Sequence, residues 1–287
     1  MDFDIRPLDR DLATLEAMER VGLACFGSGY VEESRLTRKW ASGGDGTIFL
    51  GAFEGERLAG YIGFIPYDGW LGEQPKIVFQ AIQGGTDPEF RGRGVFSKIA
   101  SRAMELLPGD YMIGYPNDQA LPVWRERMRF HIVPQVRLWF PCRIALPVID
   151  VEALESGFGD GGLCRVDQRS AARVKKDEGH ATLEHEAAGN YVWGRVRSRS
   201  LGPVNLKFFD GGGCDIREPR GFGELLRSLG KAAGVSAVRF VCTQSSPLAK
   251  GARFSLPLKN SMFIWQSLRP NCGCTAFEAF SGVADFW

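Results

Sequence analysis

Residues 87–100 read DPEFRGRGVFSKIA, placing two glycines and two arginines, Arg91-Gly92-Arg93-Gly94, between an apolar run at 77–82 and a segment with helical periodicity. Such a stretch has two readings: a tight strand-to-helix turn on a basic surface, or a cradle for an anion. The residues meet the needs of the second. Glycine adopts backbone conformations closed to other residues and lets a ligand approach the main chain. The N–H groups at the start of the helix that follows, at Val95, Phe96 and Ser97, have no partner inside it and lie at the positive end of its dipole. Arg91 and Arg93 can add charge-assisted bonds to phosphate oxygens, with the planar guanidinium suited to a two-point contact. The chemistry expected of 92–97 is the binding of a phosphate or pyrophosphate.

Other reactive groups form weaker patterns. Cys272-Gly273-Cys274 has no second pair and no nearby histidine, so its thiols are read as incidental and no metal site is expected. His180, Glu184 and His185 lack a further ligand and are read as a solvated helix face. For Asp118 a helix cap, and for His131 a satisfied structural histidine, stand beside any proton-transfer role.

The whole chain narrows the setting. Its 287 residues suffice for two domains with separate cores, and 35 basic against 34 acidic residues provide no broad field to gather nucleic acid or an anionic membrane. No stretch has the run of about 18 apolar residues needed to span a membrane, and the start MDFDIRPLDRD is too polar for a secretory signal. Seven scattered cysteines argue against a disulfide framework. These features together lead to the expectation of a cytoplasmic protein, monomer or homodimer, acting on a small molecule.

Periodicity supplies the elements that must position the turn. Leu12, Leu15 and Met18 recur at helical spacing after Asp9 or Asp11, either of which can cap a first helix. TIFLGAFEGERLAGYIGFI reads as two strands joined at Glu54-Gly55-Glu56-Arg57, and a third strand runs from Lys76 to about Gln83. After the turn come a helix with Phe96, Ile99, Ala100, Ala103 and Leu106 on one face, the short strand YMIGY, Asn117, a short helix at 122–128 and the strand FHIVPQVRLWF.

This order, with FRGRGVFSKI at its centre and GYPNDQALPVWRERMRF after it, resembles the GCN5-related N-acyltransferase (GNAT) superfamily. The superfamily signature is Gln/Arg-x-x-Gly-x-Gly/Ala at a helix start. Arg91 and Gly94 match it; Phe96 departs from it and narrows the entrance. The resemblance implies an acyl-CoA cosubstrate, acetyl-CoA or another, held by Ile82, Gln83, Arg91, Gly92, Arg93, Gly94, Val95, Phe96 and Ser97. Asn117 would approach the pantetheine arm or simply serve the turn after Pro116. It further implies direct attack of a neutral amine on the thioester, polarised by a strand amide. The tyrosine that often protonates the leaving thiolate is missing, and Arg125 takes its aligned position. Lys76 lies where some members carry a glutamate base, which leaves Asp118 and His131 as the nearest titratable groups.

The second half repeats the plan. EPRGFGELLRSLG (218–230) echoes EFRGRGVFSKIAS (89–101), and AVRFVCTQSSPLAKGARF follows the layout of YMIGYPNDQALPVWRERMRF. The expected fold is α+β, with two tandem GNAT-like domains at 1–150 and 151–287, each a mixed, mostly antiparallel sheet flanked by helices and linked near 155–164. Glu224 and Phe222 replace groups that a phosphate needs, so the second copy is expected to bind no CoA and to wall the substrate cleft. Tandem chains of this kind resemble bacterial enzymes that acylate amino sugars on nucleotide carriers, and more distantly aminoglycoside acetyltransferases. TRKWASGGDGTIFLGAF and NYVWGRVRSRS add loose likeness, although Trp40 and Trp193 are equally readable as core aromatics.

Overall fold

A computed structural model describes residues 3–27, 40, 46–142, 149–158, 162–177, 179–201, 204–253, 255–270 and 273–280. The segments at 37–53 and 155–164 and the Cys272/Cys274 pair each include residues outside this set. The chain forms two compact units that interleave along the sequence: Met1–Tyr67, Ile77–His131 and Ile264–Cys272 in the first, and the remainder in the second. They are not separated by a single cut near residue 150.

In the first unit, β1 (Asp4–Pro7) pairs antiparallel with β2 (Ile48–Glu54), which forms a hairpin with β3 (Arg57–Leu71) around Gly55 at φ 61°. Next comes β4 (Gln74–Thr86), which runs parallel to β5 (Tyr111–Gly114). A parallel pair requires a crossover, here α2 (Val95–Leu106). Its apolar residues fall at helical spacing, so Val95, Ile99, Ala100 and Ala103 are all buried. Helix α1 (Leu12–Phe26) starts where Asp11 accepts the Thr14 amide at 2.7 Å, so Asp11 rather than Asp9 is the cap. The far neighbour of β5 is not the strand that follows it in sequence but residues 264–267 of β12 (Ser255–Ser267), with Ile264 opposite Gly114.

The second unit has the same order of elements. After α3 (Val151–Phe158) and β7 (Leu163–Val166) come α4 (Gln168–Asp177), the hairpin β8 (Leu183–Ala187) and β9 (Asn190–Leu201), then β10 (Val204–Asp215), the crossover α5 (Phe222–Ala233) and β11 (Ala237–Thr243). β10 and β11 are parallel, and the other neighbour of β11 is β6 (His131–Pro141). Phe222, Leu225, Leu226 and Leu229 of α5 pack with Leu138, Phe140, Phe209, Val238 and Phe240 in one core. A short α6 (Pro247–Gly251) precedes β12, and β13 (Ala276–Glu278) lies parallel to β7. The fold is thus α+β, with a GNAT-like arrangement in each unit.

One local expectation is corrected. Residues 183–187 are a strand rather than a helix face, because Leu183 and Ala187 turn toward the α5 core. Glu184 there accepts from Lys176 and from the Tyr191 hydroxyl, and His185 Nε2 lies 2.9 Å from Ser228 Oγ. Among the described residues no group of side chains has the makings of a metal site, and no helix is long and apolar enough to cross a membrane. The described cysteines are free thiols.

Candidate functional site

The glycine turn lies at the C-terminal end of β4, where two features leave main-chain groups open. First, β4 pairs with β5 only at Val78, Phe79 and Gln80, because β5 ends at Gly114. Residues 81–86 of β4 run on past their parallel partner. Within that stretch Gln83 has φ 45°, so the strand kinks there and its regular alternation is broken. Second, the helix that follows begins uncapped. Gly94 is the N-cap residue at φ 76° and supplies no side-chain cap; its carbonyl accepts the first helical bond from Lys98 N at 3.0 Å and another from the Ser97 hydroxyl at 3.0 Å. Among the described residues the amides of Val95, Phe96 and Ser97 therefore make no hydrogen bond. Gly92 is also left-handed, at φ 78°, and a Cβ there would meet nothing within 4 Å. Two left-handed residues just before a helix turn successive N–H groups toward one concavity, the geometry of an anion nest.

The turn is pinned from its outer side by residues with no obvious signature. Asp87, buried at 6 % exposure, accepts the Glu89 amide at 3.0 Å and starts a short 3-10 turn at Pro88–Phe90. Arg57 bridges Asp87 at 3.0 Å and Glu89 at 2.6 Å, and its guanidinium lies over the Phe90 ring at 4.9 Å. Burial pushes the Asp87 pKa up, but the Glu89 amide and Arg57 outweigh it and hold this carboxyl below the ordinary value. The Asp87-Pro88 step is a turn-initiating signal readable in the sequence; the role of Arg57, thirty residues earlier, is not.

The two arginines of the turn are not equivalent. Arg93 donates to the Glu54 carboxylate and lies over the Phe3 and Phe90 rings at 4.9 and 5.1 Å. That hydrogen bond depresses the Glu54 pKa. Arg91 is exposed and makes no ion pair or side-chain hydrogen bond among the described residues. The Arg93 side chain thus already has a carboxylate partner, whereas the Arg91 guanidinium has none among the described residues.

Phe96, the departure from the signature, packs against Gly84: a Cβ at Gly84 would come within 2.6 Å of the Phe96 ring. The ring also meets Trp124 edge-on at 5.4 Å, and Trp124 meets Phe130 at 4.7 Å. The large side chain is thus accommodated by a missing one on the facing strand. Ile82 packs inward against the place of Gly63, so only its main chain is available to a ligand.

The expected proton-transfer residues all lie at exposed positions. The short helix after Asn117 is a π-turn, Val123–Arg127, and its inward residue is Trp124, buried at 3 % exposure. Arg125 is exposed and bonded to Glu126 at 2.7 Å. His131 is exposed and stacks flat on Trp265 at 4.3 Å with an interplanar angle of 16°. Asp118 is exposed, and it is Asn117 that caps the turn, accepting the Gln119 and Ala120 amides at 3.2 and 2.9 Å.

The matching turn of the second unit is built differently. α5 starts at Phe222, two residues earlier in the repeated motif than α2 does, and its N-cap Gly221 has ordinary helical angles, φ −81° and ψ −9°. The buried Asn190 side chain accepts the Arg217 and Glu218 amides, each at 2.9 Å, and so fills the space before the helix. A Cβ on Gly221 would lie 2.6 Å from the Ala188 carbonyl. No nest forms, for reasons of backbone and packing rather than the Glu224 charge alone.

Residues 15–130 match the family model described as Acetyltransferase (GNAT) family. No curated protein sequence matches the chain. Solved structures that resemble it include a GCN5-related N-acetyltransferase from Anabaena variabilis ATCC 29413, at 10 % identity and a TM-score of 0.60 over 93 % of this chain and 73 % of that one. Another from Kribbella flavida gives 15 %, 0.54, 93 % and 71 %. Eis1 from Mycobacterium abscessus gives 15 %, 0.55, 93 % and 73 %. These likenesses establish a shared fold across nearly the whole chain, and residues 15–130 are similar in sequence to the GNAT acetyltransferase family.

Proposed function

We propose that the protein transfers an acyl group from acyl-CoA to the primary amine of a small polar acceptor, an amino sugar on a nucleotide carrier being the acceptor class that its tandem layout favours. The observation that carries the CoA assignment is the uncapped start of α2 behind two left-handed glycines. Amides within 92–97 would receive the pyrophosphate, Arg91 would pair with a phosphate oxygen, and the part of β4 that runs on past β5 would lie along the amide-bearing arm of the cosubstrate. Acyl-CoA belongs to the GNAT N-acyltransferase reaction and supplies the thioester.

In this reading the amine attacks the thioester carbonyl carbon, the carbon–sulfur bond breaks, and the electron pair leaves with sulfur as thiolate. A main-chain amide near the Gln83 kink stabilises the oxyanion. The π-turn holds no tyrosine to protonate the thiolate, and Arg125 is bonded to Glu126, so solvent protonates the thiolate and removes the proton from the amine. The test is release of free thiol from acetyl-CoA across a panel of amines, amino-sugar nucleotides and aminoglycosides included. Amine-dependent thiol release with amino-sugar nucleotides as the best acceptors is expected. CoA binding without thiol release in any amine would instead identify a non-catalytic acyl-CoA-binding protein.

A further inference from the structure

The second unit contains a cleft of about 370 Å³ that no residue of the CoA cradle lines. Its volume is at the small end of ligand pockets, which run from about 300 to 1,000 Å³. Most polar side chains around it are already committed. Asp167 accepts the Trp70 indole N–H at 3.1 Å and the Ser170 amide at 2.7 Å. Gln168 accepts from Trp193 at 3.1 Å and donates to the Val166 carbonyl at 2.9 Å. Asp215 lies between Arg217, at 3.0 Å, and Arg165, at 3.8 Å.

Among the buried side chains of the wall, Glu278 is the exception, while Glu73 at the rim is exposed. Glu278 is on the cleft wall at 6 % exposure, and the Ser246 hydroxyl donates to its Oε1 at 2.6 Å. Its Oε2 has no hydrogen bond among the described residues. A buried carboxyl half-satisfied in this way is costly, and an ammonium group placed against it would meet its unfilled valence. Among the described residues Arg217, with a side chain 70 % exposed, uses only Nε on Asp215, and neither of its Nη groups makes a hydrogen bond. Among the described residues the Arg165 side chain makes only the long contact to Asp215. The cleft therefore offers an acceptor in its wall and unfilled guanidinium donors elsewhere around it.

We infer that this cleft binds a small zwitterion of amino-acid size, its ammonium group against Glu278 and its carboxylate against Arg217 and Arg165. Burial, with repulsion from Asp215, raises the Glu278 pKa, while Ser246 and Arg165 pull it down less. The titratable and charged groups around Glu278 are Arg165, Asp215, Cys214 and Cys242. Of these the two cysteines are buried thiols held neutral by burial. Ammonium binding needs the carboxylate, so affinity should fall as pH is lowered through the raised Glu278 pKa.

The test is calorimetry on the full chain with the standard L-α-amino acids, each ligand found being compared with its decarboxylated amine and its deaminated acid. Expected are binding of at least one amino acid and loss of about tenfold or more for either truncated analogue, the size of one charge-assisted bond. A similar loss is expected in Arg217→Ala, a substitution at an exposed position, and in the isosteric Glu278→Gln, which should also abolish the pH dependence. No binding by any amino acid overturns the inference, as does equal binding of the analogues or undiminished binding in both variants. Because CoA titration reports on different residues, either result leaves the acyl-CoA assignment separately testable.

Discussion

Arg93 is bonded to Glu54 across the glycine turn, while Arg91, two residues earlier, has no carboxylate partner among the described residues. One arginine of the pair braces the turn and the other is available to a ligand. Arg91→Ala should therefore weaken CoA by about 1–3 kcal/mol without changing the melting temperature of the free protein. Arg93→Ala should lower the melting temperature and weaken CoA only through the loosened turn. Titration calorimetry beside thermal melting separates the two, and equal affinity losses with equal melting points would contradict the assignment.

The Phe96 ring fills the space above Gly84. Gly84→Ala should cost about 1–3 kcal/mol by overpacking, and Phe96→Ala about 2–3 kcal/mol by lost contact with Trp124. Because the two sites touch, the double variant Gly84→Ala/Phe96→Ala should lose less than the sum of its parts. Denaturant melts of the four proteins check this; strict additivity would mean that the ring sits elsewhere.

Arg125 and His131 should prove dispensable for the chemical step. With one accepted amine, Arg125→Ala and His131→Gln should each retain turnover within about twofold, and the rate should rise with pH as the amine loses its proton, with no falling limb near the value of about 10 of a tyrosine. A rising limb that disappears in His131→Gln would identify His131 as the base.

Much of the first unit was legible because it is written locally. Asp11 as a cap, the hairpin about Gly55 and the glycine turn all depend on neighbours a few residues apart. What could not be read depends on distant partners. Nothing near Gly114 indicates that Ile264 lies beside it, and nothing near 217–221 indicates that Asn190 fills that turn. The repeated Arg-Gly-x-Gly pattern led correctly to a second helix after a strand, but the helix starts two residues earlier, so similar letters build a nest once and packed backbone the second time. Likewise the π-turn moved Trp124 inward where alignment had favoured Arg125, a one-residue change of frame that spacing alone does not reveal.

Glu278 should leave a signature in the pH dependence of stability. Its pKa is raised in the folded protein, chiefly by burial, so the folded state binds more protons than the unfolded chain. Its contribution is thus complete below the unfolded value of about 4.3 and is lost as pH rises through the raised folded value. Glu278→Gln should remove that decline, making the variant relatively more stable toward neutral pH than at acid pH. Chemical denaturation of both proteins over this range measures it; parallel stability curves would mean that Glu278 titrates normally.

The most direct measurement of the central claim, a single CoA site at the start of α2, is a calorimetric titration of CoA into wild type, Gly94→Glu and Gly223→Glu. Gly94 has φ 76° and caps an open helix start, so a glutamate there brings both backbone strain and a negative charge to the phosphate position. Gly223 is inside α5, where a Cβ would be 3.9 Å from Arg227 and a glutamate fits. The account predicts one CoA per wild-type chain, no binding to folded Gly94→Glu, and an unchanged dissociation constant for Gly223→Glu. Two CoA molecules per chain, or binding that survives Gly94→Glu, would contradict it.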